Sequence, residues 1–186
     1  MMISNEQIIQ ILKNEAVPAL GCTEPVACAY ACAKCTEILG ATPDTISVEV
    51  SGNILKNGMG VGIPGTGMTG LPIAAALGAV CGKTEYGLEV LKDVLLGDNL
   101  QRAKQMLADD AVHIALFADA PDCLYAKATC TLKDDVVVVV IQQSHVNIVR
   151  IIKNDDVLYE KEVTKKEESV SVHSELTIRR IWDFIH

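Results

Sequence analysis

From Val112 to Val163 five strand-like segments follow one another with little between them: VHIALFA, CLYAKATCTL, VVVVVIQQ, VNIVRIIK and VLYEKEV. They are rich in β-branched residues, and Asp134-Asp135 and Asn154-Asp155-Asp156 supply turn residues. Strands in series with short turns predict an antiparallel meander. A sheet of this kind must bury one face, so the rest of the chain is constrained to provide a cover.

The residues before it read as that cover. In NEQIIQILKNEAVPAL, Ile8, Ile9, Leu12 and Val17 lie near helical spacing, with Asn5 as the expected cap and Pro18 as the stop. Residues 24–39 are rich in Ala and Cys without a breaker; Thr23 is the expected cap, Pro25 suits the first turn and Gly40 the stop. TISVEVSG alternates and predicts a strand over 45–51. The segment NILKNGMGVGIPGTGMTG reads as a glycine loop leading into the helical LPIAAALGAV. Two more helical patterns follow near 85–96 and 99–109, and Ser174 is placed to cap ELTIRRIWDFIH.

This order does not alternate as a doubly wound parallel sheet would. It predicts an α+β fold: a helical layer with a small antiparallel β-domain made of strand 45–51 and the meander in 111–163. The expected divisions are N-terminal helices over 1–43, a β-domain over 44–163 with the glycine loop and helices (57–109) inserted, and a tail over 164–186. In the tail a solvated connector, from EKEVTKKEES onward, precedes the start of a C-terminal helical region that is absent. A length of 186 residues suits one core, or one core with a satellite.

A formal charge of −8 argues against a phosphate-backbone partner, and one Trp with two Phe leaves few platforms for stacking on bases. No apolar run reaches membrane-spanning length, no secretory leader is evident, and seven cysteines is an odd number. The expectation is a reduced, cytoplasmic protein that binds neither nucleic acid nor membrane.

Four of those cysteines fall in GCTEPVACAYACAKC, residues 21–35. Cys28, Cys32 and Cys35 are at i, i+4 and i+7, one face of the predicted helix, where a thiol packs as a small apolar group. No metal site is assigned to them. Cys22 stands just ahead of the helix, where unpaired amides and the positive dipole end favour a thiolate with a depressed pKa; a reactive thiol and a small loop residue both fit that placement. The glycine segment matches G-x-G-x-x-G twice but lacks the strand that should precede a dinucleotide fingerprint, and Gly78–Thr84 falls short of a Walker A loop. PGTGMTG before a helix suits either a structural turn or an anion site built from backbone N–H groups and the Thr66 hydroxyl, with Lys56 and Asn57 upstream. His113, His145 and His173 receive no role.

Together, GCTEPVA and SGNILKNGMGVGIPGTGMTGLPIAAALG resemble the L-cysteine desulfidase family and the related iron–sulfur L-serine dehydratase alpha chain, a grouping that includes UPF0597-type proteins. The resemblance covers essentially all of this chain but only the N-terminal half of a family member. It implies a lyase performing β-elimination of L-cysteine or L-serine to pyruvate and ammonia, with sulfide or water as the other product. It further implies a [4Fe–4S] cluster whose ligands are not in this chain. Cys22 matches the cysteine implied to be the base, and Ser51, Asn53, Lys56, Asn57, Thr66 and Gly67 match the motif implied to orient the amino acid. Lacking the cluster-binding half, the chain alone is expected to be inactive and truncated; the alternative is a non-catalytic domain binding a small anion or amino acid through the glycine loop. Its expected partners are a small amino-acid substrate and either the missing C-terminal region or a second copy. A surface left for either partner should make the chain self-associate at high concentration in light scattering, and a strictly monomeric species would contradict this.

Overall fold

The computed structural model describes residues 3–163 and 176–186, which fall into two compact units: Ala19–Glu162, and a smaller one combining Met1–Pro18 with Val163–His186. The fold is α+β, as the order of elements requires. No helix among the described residues is long and apolar enough to cross a membrane.

In the larger unit, β1 (Thr45–Val50), β4 (Val112–Leu116), β5 (Tyr125–Leu132), β6 (Asp135–Gln142), β7 (Ile148–Lys153) and β8 (Asp156–Glu160) form one sheet in the order β4-β1-β5-β6-β7-β8. Strands β5 to β8 are the expected meander, and β1 pairs antiparallel with β5. VHIAL departs from expectation: β4 lies on the other side of β1 and runs parallel to it. The helical residues between β1 and β4 form the crossover that a parallel pair requires, so the sheet is mixed.

The register stacks apolar residues on one face. Ile46, Cys130 and Val137 are aligned, as are Val48, Ala128 and Val139, and Val50, Ala126 and Ile141, all fully buried. Each buried Val or Ile contributes about 1.5–3 kcal/mol relative to an exposed position. The small residues on β5 admit α2 (Thr23–Leu39) so closely that the Cys35 thiol donates to the Val137 carbonyl at 3.6 Å. Cys28, Cys32 and Cys35 are fully buried, in keeping with packing, and Cys130 faces Cys32 and Cys35 from the sheet.

Helix α4 (Leu71–Cys81) packs against α2 with almost no side-chain spacer. A Cβ on Gly78 would lie 2.2 Å from the Ala29 carbonyl oxygen, and one on Gly82 would lie 2.8 Å from the Ala33 Cβ. Ala29 faces Gly78 and Ala33 faces Gly82, so both chains advance by four in the same direction. The helices therefore run parallel, with their N-terminal ends together. Thr36 Oγ1 donates to the Ala79 carbonyl at 3.1 Å and the Thr84 amide donates to the Glu37 carboxylate at 2.9 Å, closing the other end. Helix α5 (Asn99–Ala108) follows.

Three local expectations are corrected. Residues 53–58, expected as loop, fall in α3 (Gly52–Gly58), because Ser51 caps it and Ile54 and Gly58 are buried; a Cβ on Gly58 would lie 2.3 Å from a Leu71 methyl. The following glycines make a hairpin of β2 (Gly62–Ile63) and β3 (Met68–Thr69). The helix expected near 85–96 is a 3-10 helix over Thr84–Glu89 followed by turns, and Gly87 at φ 55° interrupts it.

In the smaller unit, α1 (Asn5–Glu15) is capped by Ser4, not Asn5: Ser4 and Gln7 form a reciprocal capping box. The Ser4 hydroxyl reaches the N3 amide, whereas Asn5 already has helical backbone. Helix α6 (Ile178–Ile185) is capped by Thr177, and the Arg180 Nε donates to the Ile3 carbonyl at 2.8 Å. Ile178, Trp182 and Ile185 are exposed. Ser174, the expected cap, and His173 lie outside the described residues, as does most of the expected connector.

Gly78→Ala should lower stability by about 2 kcal/mol in urea unfolding, since overpacking backbone against backbone outweighs the better helix propensity of alanine. Gly60→Ala, with nothing within 4 Å of its Cβ, should change it by less than about 0.5 kcal/mol. Equal effects would contradict the close helix approach.

Candidate functional site

The parallel pairing of α2 and α4 brings the stretch before α2 beside the glycine hairpin. Gly21 has φ +81°, and a Cβ there would lie 3.0 Å from the Pro64 ring. The next residue, Cys22, is the N-cap of α2 in extended conformation, and its side chain does not cap the helix. The chain turns one residue earlier than expected, so Thr23 is inside the helix and the thiol projects at its start. There the Cys22 Sγ donates to Glu24 Oε2 at 2.7 Å.

This hydrogen bond reverses the expected effect of the helix start. The carboxylate accepting from it raises the Cys22 thiol above its ordinary value, partial burial adds to this, and the amides of residues 23 and 24 oppose it without prevailing. Conversely, the thiol's hydrogen bond holds the Glu24 carboxyl below its usual range, aided by its own amide and by Asn57. At neutral pH the pair is a thiol and a carboxylate.

Asn57, on α3, donates Nδ2 to Glu24 Oε1 at 3.2 Å and to Asn53 Oδ1 at 3.4 Å. The two stretches most distinctive in the sequence, GCTEP and the glycine segment, therefore meet in a side-chain contact. Two residues here have no role in the sequence reading: Glu24 itself, and His145, which lies near enough for its charge and that of Glu24 to act on each other. Glu24 is spoken for only by its place two residues after Cys22. His145 comes from the β6–β7 turn, which Asn147 ties through Nδ2 to the Gln142 carbonyl at 2.8 Å. Burial lowers the His145 imidazole, while the nearby Glu24 charge works the other way. No local signal in the sequence places His145 here.

The remaining expected site residues divide by exposure. Asn53, Lys56 and Gly67 are exposed, and Lys56 has no hydrogen bond or ion pair among the described residues. Ser51 is buried, donating its hydroxyl to the Cys123 carbonyl at 2.6 Å and accepting from the Ile54 amide at 3.4 Å. Thr66 is buried too, donating to the Ile63 carbonyl at 2.7 Å while accepting from the Met68 amide at 3.0 Å. These two hydroxyls hold α3 and the hairpin in place. A cavity of about 190 Å³ is lined by Leu20, Pro64, Gly65, Leu91, Val94 and the neighbouring Lys92 and Leu95. Leu20 and Pro64 border the Cys22 turn.

All seven cysteines are free thiols, and among the described residues no three His, Cys, Asp or Glu side chains are arranged to hold a metal ion. Burial pushes the Cys28 thiol up to about 12, and hydrogen bonding to Cys130 together with burial raises Cys32 and Cys35 well above the ordinary range, while the same hydrogen bonds from Cys32 and Cys35 lower Cys130.

An α+β protein with a thiol–carboxylate pair at a helix start is thus defined, and comparison with known proteins gives its relatives. The chain is 46% identical over 179 residues to a UPF0597 protein of Bacteroides fragilis, covering 96% of this chain and 42% of that protein. UPF0597 proteins of Bacteroides thetaiotaomicron and Dichelobacter nodosus are each 44% identical, over 185 and 181 residues. The chain is a relative of the UPF0597 family, and it spans about two fifths of the length of these curated relatives. No family model matches it, and no solved structure does.

Alkylation of the native protein at pH 8, followed by mass spectrometry, should label exposed Cys123 first and Cys22 next, leaving Cys28, Cys32, Cys35 and Cys130 unlabelled. Labelling of the buried four at the rate of Cys22 would contradict the site as described.

Proposed function

We propose that this chain is the amino-acid-orienting and proton-transferring part of a cysteine-desulfidase-like or serine-dehydratase-like lyase, corresponding to the N-terminal part of a longer protein. One observation carries the reading: Asn57 and Glu24 join, in space, the two sequence stretches on which the resemblance rests. Chance similarity in separate loops would not require them to touch.

In this reading Cys22, as thiolate, removes the Cα proton of L-cysteine or L-serine. The C–H bond breaks, an S–H bond forms, and the electron pair expels the β-substituent as sulfide or hydroxide; the remaining enamine hydrolyses to pyruvate and ammonia. Asn53, Asn57, Lys56 and the amide of Gly67 hold the carboxylate and amine. Ser51 and Thr66 act indirectly, by fixing the start of α3 and the hairpin turn. The [4Fe–4S] cluster of the resemblance is held by residues outside this chain, so no step is assigned to it. The working protein is cytoplasmic, where its free thiols stay reduced, and the chain's partners are the rest of the lyase or a second copy.

Calorimetric titration of the chain with L-serine should show binding that weakens at least tenfold in Asn57→Ala, roughly the loss of one hydrogen bond to a charged group. The Bacteroides fragilis relative, reconstituted anaerobically with iron and sulfide, should release pyruvate and sulfide from L-cysteine. Absence of both results would overturn the reading. Serine binding by this chain without turnover by that relative would favour a non-catalytic binding domain.

A further inference from the structure

The Cys22–Glu24 pair contains a carboxylate whose nearest titratable neighbour, among the described residues that act on it, is the His145 imidazole. Glu24 is half-buried at the start of α2, and among the described residues no Lys or Arg is ion-paired or hydrogen-bonded to it. The groups facing the pair from neighbouring elements are the neutral Asn57 on α3 and His145 on the β6–β7 turn; the hairpin presents Pro64 to the adjoining Gly21. Glu24 spends Oε2 on the very thiol that the proposed reaction needs deprotonated. A carboxylate so placed has a natural partner in the substrate. Every α-amino acid carries an ammonium one bond from the carbon that must lose its proton.

We infer that Glu24 is the ammonium-binding residue of the site and that it keeps Cys22 protonated until an amino acid takes the thiol's place on Oε2. This rests on reading the site as one for an amino acid. In the resting protein the S–H donates to Oε2. When the substrate ammonium donates there instead, its positive charge also lies beside the sulfur. The S–H proton is then released to solvent water, leaving a thiolate within reach of the Cα–H bond. Abstraction returns a proton to the sulfur, and departure of the ammonium product restores the Cys22–Glu24 hydrogen bond. Deprotonation thus waits for substrate, which limits alkylation and oxidation of an otherwise accessible thiol. Asn57, donating to Oε1, fixes the carboxylate so that a single oxygen is exchanged between the two donors.

The test is the midpoint of the Cys22 thiol, followed through its Cβ carbon signal by NMR in the whole 186-residue chain, with Cys22→Ser used for assignment. Saturating L-serine should lower the midpoint by about one pH unit, a tenfold gain in thiolate at a given pH. L-glycerate, which has a hydroxyl in place of the ammonium, should not lower it. Glu24→Gln should lower the midpoint without serine, and serine should then add nothing. Serine that perturbs the signals of Asn57 or Gly67 yet leaves the Cys22 midpoint unmoved would overturn the inference while sparing the amino-acid reading. Serine that perturbs no signal anywhere would overturn both. The wild-type measurement stands even if Glu24→Gln misfolds.

Discussion

The backbones of α2 and α4 touch. Without a Cβ at Gly78 the Ala29 carbonyl can sit where a side chain would otherwise be, and a turn later the absent Cβ of Gly82 leaves room for the Ala33 methyl. That contact sets the two helices parallel and aligns their first turns. Below it, alanines and cysteines on α2 meet alanines and a cysteine on β5, so the helix pair also lies close to the sheet. Small residues are thus the structural answer to a question the cysteine-rich helix poses: most of its thiols are spacers that allow close packing.

The site follows from that geometry. With both N-terminal ends at one end of the layer, the turn at Gly21 rests on Pro64, and Cys22 and Glu24 face the segment that α3 and the hairpin build. Ser51 and Thr66 use their hydroxyls internally, which makes Asn53, Lys56 and Asn57 a presented set on a fixed frame. The electrostatic balance at Cys22 shows why placement alone does not set reactivity. A helix start favours a thiolate, but a carboxylate 2.7 Å away outweighs it.

Much of this was legible in the residues. Alternation over Thr45–Val50 and the series of β-branched runs gave the strands, and Gly40 gave the helix stop. The parallel placement of β4 was not legible, because VHIAL alternates no differently from a meander strand and only the crossover decides its neighbour. Helix α3 was missed because its glycines read as loop; tertiary burial of Ile54 and Gly58 overrides their low propensity. At the site, the pattern singled out Cys22 and Asn57, but Glu24 was hidden in plain view as an ordinary first-turn acid. His145 is brought in by sheet topology from more than a hundred residues away, which no local motif reports.

The central claim is that the pair at the start of α2 is where an amino acid binds for proton removal. A crystal structure of the chain saturated with L-serine tests it most directly. The serine ammonium should lie about 2.9 Å from a Glu24 oxygen, with the Cα proton directed at the Cys22 sulfur and the Cys22–Glu24 hydrogen bond broken. Serine bound elsewhere, or an intact Cys22–Glu24 bond with no serine beside it, would contradict the account.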